Sequence, residues 1–208
     1  MSTGNAGKAS GTRSIKSEIE EFKRNGILKE AVAQFYDHGY ETTSVDSIAD
    51  ALGVTKPYIY ARFRSKVELL IEICKLGAAP ADLTVEFGKG LDGDPAATLY
   101  AIIRHFVTLQ IERRMEVALY FREAKSLPPA ELQVIDEARL RFHHMLRNVL
   151  DEGRKSGVFH MGSAALTASA LGGMASWTFT WFQPDGRWDG ATIADEIAKL
   201  ALRTVGAS

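Results

Sequence analysis

The chain has 208 residues, a hydrophobic fraction of 46% and a formal net charge of -1, which allow one or two domains with a substantial core. Its single cysteine excludes an intrachain disulfide framework and is typical of a reducing compartment. No apolar run approaches the roughly 18 residues that a membrane-spanning helix needs, and the first residues are small and polar. We therefore expect a cytoplasmic protein with no membrane span and no signal peptide.

The N-terminal segment divides into an arm and a helix. Residues 1–16 are rich in glycine, serine and alanine, a composition that predicts disorder. The basic residues Lys8, Arg13 and Lys16 either touch DNA or are simply solvated. A first helix is predicted from about Ser17 to His38, with Gly39 as its C-cap.

Residues 44–63 have the pattern of two short helices joined by a glycine turn. Ser44 is suited to cap the first helix, which carries one apolar stripe. Ala49, Gly53 and Ile59 have the spacing of a helix-turn-helix: the small residue allows a close crossing, the glycine makes the turn, and the branched residue locks the second helix. A second helix of this kind enters a DNA major groove. Its outward-facing residues would be Thr55, Lys56, Pro57, Tyr58, Tyr60 and Arg62.

The charge distribution supports DNA as the partner of this second helix. Residues 53–66 carry four positive side chains and no acid, although the whole chain is nearly neutral. Lys56 can reach a guanine or a phosphate, and Pro57 can pack on a thymine methyl. The tyrosine hydroxyls can donate to phosphates. Arg62 is compatible with a base contact, a phosphate contact or an ion pair on the surface of the protein.

The run from Ile27 to Leu70 resembles the DNA-binding domain of the tetracycline-repressor (TetR) family. The resemblance is carried by Gly39-Tyr40, by the Ala49-to-Gly53 spacing and by the sequence Tyr60-xx-Phe63-xx-Lys66. It implies that a helix start at Ser44 faces phosphate. It also implies DNA contacts by Lys56, Pro57, Tyr58, Tyr60 and Lys66.

The rest of the chain is predicted to be helical. Ser65 and Glu68 form a capping box that begins a fourth helix, which the segment Gly77 to Pro80 should end or bend. Asp94-Pro95 begins a fifth helix. Four more follow, over about 115–125, from 129 to about 153, from 163 to 181 and over 191–205. No segment has the period of a strand, so we expect an all-α protein of about nine helices.

Three parts are therefore predicted. Residues 1–16 are the disordered arm, residues 17–66 the helix-turn-helix DNA-binding domain, and residues 67–208 a larger helical ligand-binding and dimerisation domain. TetR-like proteins dimerise through their last two helices. The many small residues of the predicted eighth helix suit such an interface, since they let helix axes approach, although they also suit packing inside one subunit. The predicted interface residues are Ala168, Gly172, Gly173, Trp177 and Trp181.

The predicted fifth to seventh helices would enclose a ligand in this family. Their aromatic and polar residues are the expected lining of a small-molecule cavity, although each residue alone fits a core or a surface position. The candidates are Phe106, Gln110, Tyr120, Phe121, Arg139, Phe142 and His143. Residues 177–186 also resemble the C-terminal signature of TetR-like regulators of fatty-acid and steroid degradation, some of which respond to acyl-CoA thioesters.

An enzyme is not expected. His143 and His144 are adjacent and point about 100° apart on a helix, and no His-Glu-xx-His or cysteine-pair spacing supports a metal site. We predict no cofactor. The expected function is a homodimeric repressor, released from an inverted-repeat operator in double-stranded DNA by a small hydrophobic or amphipathic effector such as a fatty acid or acyl-CoA. The alternatives are a transcriptional activator and an effector-independent helical DNA-binding or interaction protein.

Overall fold

The computed structural model describes residues 15–207, and all regular structure in this range is helical. The predicted disorder of the arm therefore lies outside the described residues, except that residues 15 and 16 already belong to a helix. The helices are α1 (Ile15–His38), α2 (Val45–Leu52), α3 (Lys56–Tyr60), α4 (Lys66–Lys89), α5 (Pro95–Glu112), α6 (Arg114–Glu123), α7 (Pro129–Lys155), α8 (Ala164–Ser176), α9 (Thr178–Trp181) and α10 (Gly190–Thr204). A short 3-10 helix, Ala124–Ser126, follows α6. Since α9 is a single turn directly after α8, the prediction of an all-α protein with about nine helices is confirmed.

Local signals in the sequence fix the first helices. The Ser44 hydroxyl accepts a hydrogen bond from the Ser47 amide and caps α2. Gly53 ends α2 with a left-handed φ of 65°, a conformation that side chains disfavour. Ala49 and Ile59 are buried between the crossing helices. The predicted helix-turn-helix geometry is therefore present.

Two clusters of buried side chains stabilise the molecule. The N-terminal core lies among α1 to α4 and also takes up Leu119, Leu127 and Ile135 from the region of α6 and α7. The C-terminal core lies among α5, α7, α8 and α10. Helix α4 contributes to both, with Leu69, Leu70 and Ile73 in the first and Ala81 in the second. The two halves are thus joined by one continuous helix and by shared packing.

Helix α4 runs through Pro80, where the sequence predicted an end or a bend. A proline inside a helix leaves the carbonyl four residues earlier without its usual amide donor. Here that carbonyl belongs to Leu76, and the Arg113 guanidinium donates to it at 3.5 Å. The predicted helix end is therefore not present, and a side chain from the α5–α6 junction takes the place of the missing backbone donor.

Helix α6 is packed closely against α4 and α1. A Cβ atom at Gly77 of α4 would lie 2.3 Å from the Glu116 carbonyl oxygen, so glycine is required for this crossing. On its other side, α6 presents Arg122 to the end of α1. Its Nη2 donates to the Phe35 carbonyl at 2.5 Å, while Nη1 lies 3.5 Å from the Tyr36 carbonyl.

The last helix, α10, packs mainly on α5. Asp195 of α10 accepts hydrogen bonds from Tyr100 and Arg104, both on α5. Within residues 15–207, no helix is both long enough and apolar enough to cross a membrane.

Candidate nucleic-acid interface and ligand cavity

The outer edge of α2 and α3 is a polar and aromatic surface. Helix α3 has a proline in its first turn. The amides of a first turn have no acceptor within the helix, so the missing amide hydrogen costs no helical hydrogen bond. Ile59 lies on the opposite face of α3 and is fully buried. Its burial keeps the polar face of α3 directed toward solvent. The exposed residues that the sequence predicted here are Ser44, Thr55, Lys56, Pro57 and Tyr60.

The two lysines predicted at the DNA have partners within the protein. Lys56 Nζ forms a 2.7 Å ion pair with Asp46 of α2, and this hydrogen bond raises the pKa of Lys56. Because both groups are largely exposed, the pair is easily exchanged for a phosphate or a base. Lys66 Nζ donates to the Glu41 carbonyl at 3.2 Å and lies 4.3 Å from the centre of the Tyr40 ring. Lys66 therefore ties the start of α4 to the loop after α1.

The other two predicted contacts, Tyr58 and Arg62, are only partly exposed. The Arg62 guanidinium carbon lies 4.1 Å from the centre of the Tyr58 ring, and its Nη1 donates to the Tyr58 carbonyl at 3.0 Å. Its Nη2 forms a 2.7 Å ion pair with Glu20 of α1. Of the three roles that the sequence allows for Arg62, the structure shows the ion pair on the surface of the protein.

A cavity of about 330 Å³ lies between helices α4 to α8 and extends to Trp177. Four of its twelve lining residues are phenylalanine or tryptophan. Phe106 and Phe142 stack with ring centres 4.2 Å apart, and Phe121 meets Trp177 edge to face at 5.9 Å. Such a wall is suited to an apolar ligand group.

The polar groups of the cavity come from α7 and α8. His143 Nε2 lies 3.0 Å from the Ser169 hydroxyl, and Ser176 also lines the wall. Arg139 is 65% exposed, and its Nε is 3.5 Å from Asp136. A guanidinium so loosely paired is available to an anionic group at the mouth of the cavity.

The structure brings together five of the seven residues that the sequence predicted at a ligand: Phe106, Phe121, Arg139, Phe142 and His143. Gln110 and Tyr120 are not in this wall. Gln110 is buried on α5, and its side-chain oxygen has no hydrogen-bond partner within residues 15–207. Tyr120 packs against the N-terminal core, where burial raises its pKa.

Helix α8 supplies cavity residues that sequence reasoning missed or assigned elsewhere. One face of α8 lines the cavity with small side chains, continued by Trp177: Ala168, Ser169, Gly172, Gly173, Ser176 and Trp177. Ala81 of α4 was also missed. The signal was present in the repeat of small residues every three to four positions, which leaves a gap where it faces aromatic rings.

A second face of α8 is free for a partner subunit. Leu166 is 74% exposed, and Ala170 is exposed too. Gly173 and Trp177 line the cavity but are also exposed, as is Trp181 in the short helix that follows. The prediction that Ala168 lies at the dimer interface needs correction, because its side chain is completely buried within its own subunit.

The histidines of α7 do not form a metal centre with acids or cysteines. Their rings are 6.4 Å apart and nearly perpendicular. In the part of the chain that the structure describes, no group of three or more histidine, cysteine, aspartate or glutamate side chains could hold a metal ion.

Comparison with known proteins identifies the family. The model of the tetracyclin repressor-like C-terminal domain matches residues 92–205, and that of the bacterial regulatory proteins of the tetR family matches residues 27–73. The HTH-type transcriptional repressor KstR2 of Rhodococcus jostii (strain RHA1) is 28% identical over 189 residues, which cover 86% of this chain and 89% of KstR2.

Two solved structures are also similar. The TetR-family regulator PfmR from Thermus thermophilus is 32% identical with a TM-score of 0.78, over 85% of this chain and 97% of PfmR. AibR, solved in complex with isovaleryl coenzyme A and operator DNA, is 26% identical with a TM-score of 0.72, over 86% of this chain and 97% of AibR. The family consists of transcriptional regulators and not of enzymes. The chain therefore belongs to the TetR family of DNA-binding transcriptional regulators.

Proposed function

We propose that the chain is a homodimeric repressor that leaves an inverted-repeat operator when an amphipathic anion, such as a fatty acid or acyl-CoA, places its acyl chain in the cavity. One observation carries this proposal. Phe121 lines the cavity, and the next residue on α6, Arg122, is hydrogen bonded to the last turn of α1. A ligand that displaces Phe121 thus acts on the helix-turn-helix unit. A repressor of this kind would work in the cytoplasm, where its operator lies.

The chemistry of the cavity favours an anion with an apolar chain. Its volume of about 330 Å³ is at the lower end of the roughly 300–1,000 Å³ of ligand pockets, so it suits an acyl chain but not a whole coenzyme A. Arg139 at the mouth can pair with a carboxylate or a phosphate, whereas it repels a cation. AibR, the similar regulator solved with isovaleryl coenzyme A, supports the same ligand class.

The coupling to DNA would use both α4 and α6. Ala81, which lines the cavity, follows the proline at which α4 lacks one backbone hydrogen bond. Arg113, which replaces that bond, lies at the junction of α5 and α6. Movement of α6 would therefore disturb α4 and α1 together. The effector would favour a second arrangement of the two recognition helices, in which both can no longer bind the operator simultaneously.

The two DNA-reading surfaces of a dimer would bind the operator together. Two copies of α3 must meet major grooves about 34 Å apart, or a multiple of that distance, so the operator should be an inverted repeat. The proposed DNA contacts are Ser44, Thr55, Lys56, Pro57, Tyr58, Tyr60 and Lys66. The dimer would form through the outward faces of α8 and α10, with Gly173, Trp177 and Trp181 on the α8 side.

The DNA half of the proposal is tested by selecting bound sequences from random DNA and then comparing two lysine variants. Lys56→Ala should relax the preference for bases, because it removes a side chain that reaches the groove. Lys66→Ala should weaken binding to all sequences, as expected for the loss of a phosphate contact. It should also lower the salt slope, which is the steepness with which log K falls as log salt concentration rises, by about one. If both variants lose specificity equally, the recognition surface lies elsewhere.

The effector half is tested by titrating the operator complex with decanoate, decanoyl-coenzyme A and a cationic dye. The acyl compounds should release the DNA and the dye should not. Gly172→Leu is the matched variant, because a Cβ there enters the cavity 4.0 Å from the Phe142 ring without a clash. It should bind DNA normally and fail to respond. Release by the dye alone would identify a sensor of cations and contradict the acyl proposal.

A further inference from the structure

The first three turns of α1 lie outside the segment that matches the family's DNA-binding model. That match begins at residue 27, whereas α1 begins at Ile15. We call residues 15–26 the α1 extension. Its contacts show a specific relation to the recognition helix, because two of its charged residues, one helical turn apart, reach the segment that follows α3.

These two residues, Glu20 and Arg24, both contact Arg62. Glu20 Oε2 pairs with Nη2 of Arg62 at 2.7 Å. Arg24 Nη1 donates to the Arg62 carbonyl at 2.8 Å, and its Nη2 pairs with Glu72 of α4 at 2.9 Å. The Arg24 guanidinium also lies 4.1 Å from the centre of the Phe63 ring, which is fully buried. The side chain and the backbone of Arg62 are thus held from the same side.

Arg62 passes this constraint to Tyr58. Its guanidinium covers the Tyr58 ring at 4.1 Å, and one of its nitrogens donates to the Tyr58 carbonyl. Only 13% of the Arg62 side chain is exposed, compared with 46% for Lys56 at the start of α3. A side chain so enclosed, with its two terminal nitrogens directed at Glu20 and at a carbonyl, is poorly placed to reach a phosphate as well.

We propose that Arg62 is a positioning residue, which fixes the orientation of Tyr58 at the DNA-reading surface, and that Glu20 and Arg24 of the α1 extension hold it in place. The α1 extension is then part of the DNA-reading unit. This inference rests on the proposed role of α3 in reading DNA. It assigns Arg62 an indirect role, in contrast to the direct roles proposed for Lys56 and Lys66.

The experiment compares Glu20→Gln with Glu18→Gln in the full-length protein. Both variants remove one negative charge from the exposed surface of the α1 extension, so long-range electrostatic effects on DNA binding are matched. Glu20→Gln should bind the selected operator about two- to fivefold more weakly than Glu18→Gln, as expected for a partly exposed ion pair. Binding to random DNA and the salt slope should be the same for both. Tighter binding by Glu20→Gln with a slope about one unit larger would mean that Glu20 masks a phosphate contact, which would overturn the proposal.

Two further measurements separate positioning from contact. Arg62→Gln and Arg62→Lys should weaken operator binding with no change in the salt slope, and neither should add to the effect of Tyr58→Ala. If Arg62→Gln lowers the slope by about one while Arg62→Lys keeps it, Arg62 touches phosphate and the proposal fails. Hydrogen exchange of the backbone amides of residues 56–63 is measured on the protein without DNA, so its result does not depend on the operator proposal. Exchange should be faster in Glu20→Gln than in Glu18→Gln. Equal exchange rates would overturn the positioning role.

Discussion

The N-terminal core and the cavity in the C-terminal half are packed differently. The N-terminal core is filled by large side chains that are completely buried, such as Phe35, Ile59 and Phe63. In the C-terminal half, α8 faces the rings of Phe106 and Phe142 with alanine, glycine and serine, and a cavity remains between them. A close-packed core has essentially one arrangement, whereas a cavity lined by small residues leaves room for another group. The difference matches a rigid surface at one end and a responsive site at the other.

The outward face of α8 offers the largest test of this comparison. Ala170→Glu should place two like charges at a symmetric interface and yield monomers. A monomer reaches only one half-site, so operator affinity should fall by about a hundredfold or more. Sedimentation and operator titration measure both effects. Leu140→Glu, at an exposed apolar residue of α7, is the control and should remain dimeric. A dimeric Ala170→Glu protein would place the interface on another surface.

The crossing of α4 and α6 joins the two ends and should tolerate no side chain. Gly77→Ala forces a shift of the Glu116 backbone and should lower the free energy of unfolding by about 1–3 kcal/mol. Gly26→Ala is the matched control, since no atom lies within 4 Å of its Cβ position. In a helix interior it should raise the free energy of unfolding by about 0.5–1 kcal/mol. Denaturant titration measures the free energy of unfolding of both variants. Equal changes in Gly77→Ala and Gly26→Ala would contradict the tight crossing.

Arg122 tests whether the cavity acts on α1 through α6. Arg122→Gln weakens the hydrogen bonds to the last turn of α1 but leaves the cavity wall intact. Effector affinity should be unchanged, as followed by tryptophan fluorescence, to which Trp177 in the cavity wall contributes. The effector's influence on DNA affinity should fall about fivefold or more. Arg139→Gln should do the reverse, with weaker effector binding and intact coupling. If Arg122→Gln responds like the unmodified protein, the coupling runs elsewhere.

Cys74 provides the mildest test, because it reports whether the N-terminal core opens. Burial raises the pKa of its thiol to about 12. Since the thiolate is the reactive form and is favoured only above the pKa, alkylation at pH 8 should be very slow in the folded protein and fast in denaturant. Effector should leave the folded rate unchanged if the proposed movement shifts α6, α4 and α1 together without separating them. Faster alkylation with effector would show that the core itself loosens.

The sequence determined the DNA-reading end to a large extent. The Ser44 cap, the left-handed Gly53 and the buried Ile59 are set by residues close together in the chain, so their pattern can be read directly. Five of the twelve residues of the cavity wall were also predictable, because aromatic and polar residues on the inner faces of adjacent helices tend to meet. These features depend on periodicity and on local hydrogen bonds.

Tertiary structure alone decided the rest. Helix α4 continues through Pro80 because Arg113, which is distant in sequence, supplies a donor to Leu76. Ala168 is buried within its own subunit because α8 turns that face toward its neighbours, a rotation that a helix composed of small residues does not specify. Arg62 is enclosed by Glu20 and Tyr58, whereas its position in the motif left a base contact, a phosphate contact and an ion pair open. In each case the partner comes from another helix, and which side chains meet across helices depends on packing geometry that no local pattern contains.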